Sequence, residues 1–345
     1  MNRISNSEGF AVNLAGVGNI GKVYADILSQ RSDIAALHIA DPLFADSSSI
    51  PPRYSANPKV CVYNDYNELP PSSSVVVIAL PNDMHRQAFD FFASTARRLL
   101  VEKPLGNTYA ESALIAKNAK DTQTPTMCGL TGLYHPEFRA MYEALSTLGH
   151  IKEVRERIHE ANSQLHRFLH EGHGVLTENG IHTLHRFYKI ASLIDPTNAL
   201  EVKEVALSKR YFRGCAGEDY AAGRLMLGNI PFTFELSFRD GTKTDNGWPI
   251  DYRTEIIGEK GTILVTGWEK CETNFADGTH EVHYAHPDGP LQTHSQYSRI
   301  RRGLEDQINE FLRFALSGEQ QHFTLGEAVQ AHRLVEECYA AARSH

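Results

Sequence analysis

The stretch that most constrains this chain is Gly16-Val17-Gly18-Asn19-Ile20-Gly21. It stands between an apolar run, Phe10 to Ala15, and a segment with Ile20, Val23, Tyr24, Ile27 and Leu28 at helical spacing. Strand, glycine turn and helix in that order admit few folds. Gly16 allows the tight turn, Gly18 lets backbone approach a pyrophosphate, and Gly21 lets helix and strand pack closely. N–H groups at the helix start, around Asn19 and Ile20, then face the phosphates. The pattern predicts a dinucleotide-binding unit.

A second apolar segment, Ile34 to Ala40, ends in Asp41 about twenty residues beyond Gly21, where a carboxylate can accept hydrogen bonds from an adenosine ribose diol. No Arg or Lys follows directly to neutralise a 2′-phosphate, so NAD is expected, with NADP as the alternative. Asp41 also precedes Pro42 and can be read as a turn residue. Residues 42–58 carry four prolines and several serines, which predicts an irregular crossover.

Further strands are expected at Val60 to Tyr63, Val75 to Leu80, Leu99 to Glu102 and Thr126 to Leu130. The helix after Pro81-Asn82-Asp83 is expected to take Asn82 or Asp83 as its cap and to turn Met84, Ala88, Phe91, Phe92 and Thr95 inward, with His85 in its first turn. Another helix is expected over residues 108–120. This alternation predicts an α/β Rossmann domain with a doubly wound parallel sheet over residues 1–133. Glu102-Lys103-Pro104 stands at the end of one of its strands.

After Pro136 the texture changes. Residues 151–158 alternate apolar and charged side chains, and similar strands are expected at about 200–213, 221–228, 231–239, 252–258 and 261–266. Two helices, 303–316 and 325–343, should close the chain. Residues 134–345 therefore read as an α+β domain with a large, mostly antiparallel open sheet.

A formal charge of −8 over 345 residues argues against nucleic acid or an anionic membrane surface as partner. The five cysteines contain no Cys-x-x-Cys pair, so neither a disulfide framework nor a thiolate zinc site is suggested and a reducing, cytoplasmic setting fits. The longest apolar run, Val75 to Leu80, is too short to span a bilayer. Histidines gather at His166, His170, His173, His182 and His185, with Glu178 among them. Imidazole with carboxylate suits zinc or iron, but a histidine-rich wall for a polar substrate is the preferred reading, with no metal. If residues 177–190 are helical, Glu178, His182 and His185 share one face, and the carboxylate can orient the imidazole of His182.

Together these residues resemble the glucose-fructose oxidoreductase/inositol dehydrogenase/rhizopine catabolism family, Gfo/Idh/MocA. The resemblance is carried by the glycine turn at 16–21, Pro81-Asn82 with His85, Glu102-Lys103-Pro104, Gly149-His150-Ile151, residues 174–182 and the pattern Asp306 to Phe311. It implies that Lys103 lies beside the nicotinamide and substrate, with Pro104 commonly cis, and that His182 reaches the same pocket. Pro81, Asn82, His85 and Glu102 would belong to the cofactor side, and Tyr134, His173 and His185 to the substrate side. Like charge on the nicotinamide ring and desolvation would both ease a proton from Lys103, which could then exchange it with a substrate hydroxyl or carbonyl. The family more often has Asp at the positions of Glu178 and His185, and frequently an arginine before the proline where Tyr134-His135 stand here. These departures fall on the substrate side.

The expected activity is NAD(P)-dependent hydride transfer with a secondary alcohol or ketone of a sugar, cyclitol or related polyol. Lys103 and His182 would act in proton transfer, and Glu178 as orienter. The alternatives are an imine or conjugated-system reductase, a non-catalytic dinucleotide-sensing regulator, and an NAD-using glycosidase or lyase. The resemblance also implies a homodimer or homotetramer formed through the second-domain sheet.

Overall fold

The computed structural model describes residues 9–71, 75–161, 169–241, 250–289, 296–317 and 325–343. Two compact units emerge: Met1–Leu130 with Leu304–Val329, and Thr131–Gly303 with Gln330–His345. The carboxyl-terminal helices contribute to both units. Helical spacing gave no sign of this, because a helix interior carries no mark of a domain boundary.

The first unit holds six strands in the order β3-β2-β1-β4-β5-β6, all parallel. They are β1 (Phe10–Ala15), β2 (Ile34–Ala40), β3 (Val60–Tyr63), β4 (Val75–Ile78), β5 (Arg98–Glu102) and β6 (Thr126–Gly129). Val75 to Ile78 and Leu99 to Val101 are at most 1% exposed, as befits strands covered on both faces. Strand order reverses between β1 and β4, and the crevice at such a reversal is where open α/β sheets take their ligands.

Helix α1 (Asn19–Gln30) follows the glycine turn. The irregular crossover consists of short 3₁₀ turns and a four-residue helix, α2 (Pro52–Ser55). Helix α3 (His85–Phe92) differs from expectation. Its inward residues are His85, Ala88, Phe89 and Phe92, while Phe91 is 42% exposed and Thr95 lies at the surface. A 3₁₀ turn at Asn82–Met84 leads into it, and the tighter winding of such a turn rotates the helix that follows. Neither Asn82 nor Asp83 caps it, since α3 starts without a side-chain cap. Phe91 instead meets Phe92 and Tyr66 edge-on, at centroid distances of 4.9 and 5.9 Å. Helix α4 (Tyr109–Asp121) is capped by Thr108, whose hydroxyl accepts the Glu111 N–H at 3.2 Å.

In the second unit, helix α5 (Pro136–Ala144) precedes an eight-stranded sheet of order β14-β13-β12-β11-β7-β10-β9-β8. These strands are β7 (Ile151–Ala161), β8 (Glu201–Ser208), β9 (Tyr220–Leu227), β10 (Ile230–Arg239), β11 (Ile250–Gly258), β12 (Gly261–Thr266), β13 (Lys270–Phe275) and β14 (His280–Ala285). Among the described residues of this sheet, only β7 and β10 pair in parallel. Strands β13 and β14 escape the sequence reading because their polar residues blur the alternation. One face of the sheet packs under helix α6 (Ile181–Ile194), with Phe187 and Phe232 in a T-shaped contact at 5.4 Å. Helices α7 (Gln296–Ser317) and α8 (Leu325–Arg343) end the chain. Among the described residues, no helix is long and apolar enough to cross a membrane.

Candidate active site

The glycine turn is built from close approaches. Gly16 has φ of +95°, and a Cβ there would stand 2.4 Å from the carbonyl oxygen of Ala79. At Gly21 a Cβ would come 2.2 Å from the carbonyl oxygen of Gly16. Gly18 is different, because nothing lies within 4 Å of where its Cβ would be. That empty cradle of exposed backbone at the start of α1 fits a pyrophosphate. Asn19 is exposed and Ile20 half-buried on the first turn of α1.

Asp41, at the end of β2, spans two readings. Its Oδ2 accepts the Val17 N–H at 2.7 Å, and its Oδ1 accepts the Leu43 N–H at 2.9 Å. It therefore braces the glycine turn and caps the next one. Each oxygen retains an acceptor site, so a ribose diol can still be bound.

Lys103 stands just past β5, half-buried, and its peptide bond to Pro104 is cis. Glu102 is buried beneath it. Glu102 Oε2 accepts the Lys103 N–H at 3.0 Å and Oε1 accepts the Tyr24 hydroxyl, to which Gln307 Nε2 donates at 2.6 Å. Burial pushes the Glu102 carboxyl up, against the pull of Tyr24 and of the Lys103 amide. Glu102 thus supports the lysine's backbone, and no signal in the sequence singles out Tyr24 or Gln307 for that network. His85 is buried, with Nδ1 2.9 Å from Pro104 O and Nε2 2.8 Å from Leu80 O. Pro81 is exposed and Asn82 half-buried beside it. The residues expected on the cofactor side therefore gather at the carboxyl ends of β1, β2, β4 and β5.

The second unit holds the other expected residues. Leu176–Gly180 forms a π-helical turn that leads directly into α6. A π turn takes an extra residue per turn, and it includes Glu178 but not His182 or His185, which lie on α6. Glu178 Oε1 lies 3.9 Å from His173 Nδ1. Glu218 anchors the π turn: its Oε1 accepts the Leu176 N–H at 3.1 Å and the Tyr339 hydroxyl at 2.9 Å, and Tyr339 also meets Thr177 at 2.9 Å. Nothing in the sequence marked Glu218. His182 is half-buried, its Nδ1 3.6 Å from where a Gly132 Cβ would stand.

Tyr134 and His185, both expected on the substrate side, are 1% and 0% exposed. Tyr134 lies under the Arg139 guanidinium, 5.8 Å from its ring centroid, and His185 is on the core side of α6. Burial, then Arg186 and Lys189, push the His185 pKa down to about 3. Its neutral form is therefore built into the fold, while the unfolded chain binds a proton near pH 6.5. Stability should fall as pH drops from about 6.5 towards 3, because the unfolded state then binds more protons. Urea unfolding midpoints at pH 8 and pH 5 check this, and His185→Leu should narrow the difference between them.

Among the described residues, no three His, Cys, Asp or Glu side chains converge on a metal-sized site. His170 is exposed, and His166 lies outside the described residues.

Residues 10–130 match the family model described as "Oxidoreductase family, NAD-binding Rossmann fold", GFO_IDH_MocA. The dinucleotide-binding domain belongs to the Gfo/Idh/MocA family. An inositol 2-dehydrogenase of Rhizobium meliloti (strain 1021) is 23% identical over 269 residues, covering 77% of this chain and 78% of that protein. The fold also matches an oxidoreductase from Agrobacterium radiobacter solved with NAD+, L-tartaric acid and magnesium, with TM-score 0.80, 18% identity, and 97% and 96% of the two chains covered. A putative myo-inositol dehydrogenase from Sinorhizobium meliloti 1021 gives TM-score 0.76 at 19% identity, over 97% and 98%. Residues 10–130 thus carry the NAD-binding Rossmann fold of this oxidoreductase family.

Proposed function

We propose that this Gfo/Idh/MocA protein is an NAD-dependent dehydrogenase for a secondary alcohol of a polyol, cyclitols first and sugars next. The observation that carries the reading is Lys103: a half-buried lysine on a backbone held by buried groups, at the same sheet edge as the open cradle of Gly18. NAD would supply the hydride chemistry. Lys103 takes the hydroxyl proton as the alcohol is oxidised and returns it in the reverse direction. His182 shares that proton, Glu178 orients a histidine of the wall, and His173 completes the polar lining. Similarity to an inositol 2-dehydrogenase supports a cyclitol. Asp41, with its free acceptor sites, supports NAD over NADP.

The open face of the second-unit sheet supports self-association. It presents Arg157 paired to Asp251 at 2.9 Å and Arg224 paired to Glu204 at 2.9 Å, with Ala222 and Gly223 between charged rows. Such a self-complementary pattern suits a homodimer or homotetramer. Five free cysteines support a reducing, cytoplasmic setting.

The test titrates NAD+ and NADP+, then offers myo-inositol and a panel of cyclitols and aldoses while the reduced cofactor is followed. Turnover of at least one polyol with NAD+ is expected. Turnover of cyclic imines with none of the polyols would overturn the reading.

A further inference from the structure

The ladder that orders β5 stops short of Lys103: the described pairs end at Ile78 with Val101 on one side and at Glu102 with Gly129 on the other. Beyond Glu102 the backbone must be fixed by side chains. Glu102 holds the Lys103 N–H from one flank, at 3.0 Å. On the other flank, the carbonyl of Pro104 meets His85 Nδ1 at 2.9 Å, and His85 Nε2 reaches the Leu80 carbonyl, just past β4, at 2.8 Å.

His85 begins α3 on the face that also carries Ala88, Phe89 and Phe92. An apolar side chain would fill that place without the desolvation cost of an imidazole. What an apolar side chain lacks is a donor for a carbonyl. The ring is 0% exposed, so it offers no surface to a nucleotide.

We propose that His85 is a positioning residue for Lys103. By donating from Nδ1 to the Pro104 carbonyl, it ties the lysine's loop to the start of α3 and so sets where the lysine's Cα stands relative to the sheet edge that carries the glycine turn. The role rests on the reading of Lys103 as the proton-transfer group. A reacting group displaced by about 1 Å loses rate on the order of 100-fold, so a slack loop would be costly even though His85 touches no substrate.

Three variants separate this from plain packing. Asparagine places its amide nitrogen near the position of Nδ1, glutamine near that of Nε2, and alanine has neither. In His85→Ala and His85→Gln, hydrogen exchange at the amides of Lys103, Leu105 and Gly106 should quicken. Turnover of myo-inositol with NAD+ should fall about 30- to 100-fold, with NAD+ affinity kept within about threefold. His85→Asn should keep the exchange protection and recover turnover to within about fivefold.

Equal losses in all three variants, or unchanged exchange in His85→Ala, would overturn the proposal. Nitrogen-15 NMR of histidine-labelled wild type tests it without a variant: a protonated Nδ1 on His85 is expected, and a bare Nδ1 would overturn it. If the wild type does not oxidise myo-inositol, the exchange and NMR arms still decide the role of His85. The loss of turnover then counts against the substrate reading alone.

Discussion

Lys103→Met should lower turnover by about 10²- to 10⁴-fold, the range that a positioned acid or base contributes. Its affinity for NAD+ should stay within a few-fold of wild type. Methionine approximates the length of the lysine stem and removes the proton-carrying amine, so packing is disturbed little. The Lys103 N–H that donates to Glu102 belongs to the backbone and survives the substitution. Steady-state rates on the best polyol, with NAD+ titration by fluorescence quenching, measure both quantities. Near-normal turnover in the variant would remove Lys103 from the chemistry while leaving the fold and cofactor class untouched.

The second large effect concerns stability. Glu156 alternates to the buried face of β7, 3% exposed, and Arg186 on α6 meets it there at 1% exposure. Arg186 Nε donates to Glu156 Oε2 at 2.8 Å and Nη2 donates to Oε1 at 2.5 Å, while the Thr254 hydroxyl donates to Oε2 at 2.9 Å. Phe138 and Tyr252 cover the guanidinium, at 4.9 and 5.2 Å from their ring centroids. Burial opposes the charge on Arg186, and Glu156 outweighs it, so the guanidinium is held charged above its ordinary range.

Glu156→Ala leaves that cation unmatched in the core and should cost about 3–5 kcal/mol. Arg186→Met combined with Glu156→Leu removes both charges and should recover most of the loss. Urea unfolding of the single and double variants gives the comparison. A single variant as stable as wild type would show that water or a shifted side chain reaches the site.

Much of the first unit was legible in the residues because its rules are local. Gly16 and Gly21 make the close approaches their spacing implies, and Val75 to Ile78 is as buried as its composition suggests. The residues expected on the cofactor side lie at strand ends for the same reason. Their supports were not legible: Tyr24 reads as one more helical apolar residue, and Gln307 lies far along the chain. Both show their role only once β5 and α1 are packed.

The wall around Glu178, His182 and His185 is expected on one plain helix, and a π turn precedes that helix instead. No residue type announces such a turn. Glu218 and Tyr339, which hold it, come from distant segments. Arg186 was overlooked for a simpler reason: a lone arginine on a helix is ordinarily at the surface.

The central strand of the larger sheet also has a life during synthesis. Val154 of β7 pairs with Phe232 on one side and Ile256 on the other, so β7 leaves the ribosome long before either neighbour exists. A strand waiting with both edges open invites the wrong partner. Glu156, set among Val154 and Ile158, keeps that waiting face from being a continuous apolar ribbon. The charge that must be matched by Arg186 in the finished core thus guards the nascent strand until its own neighbours arrive.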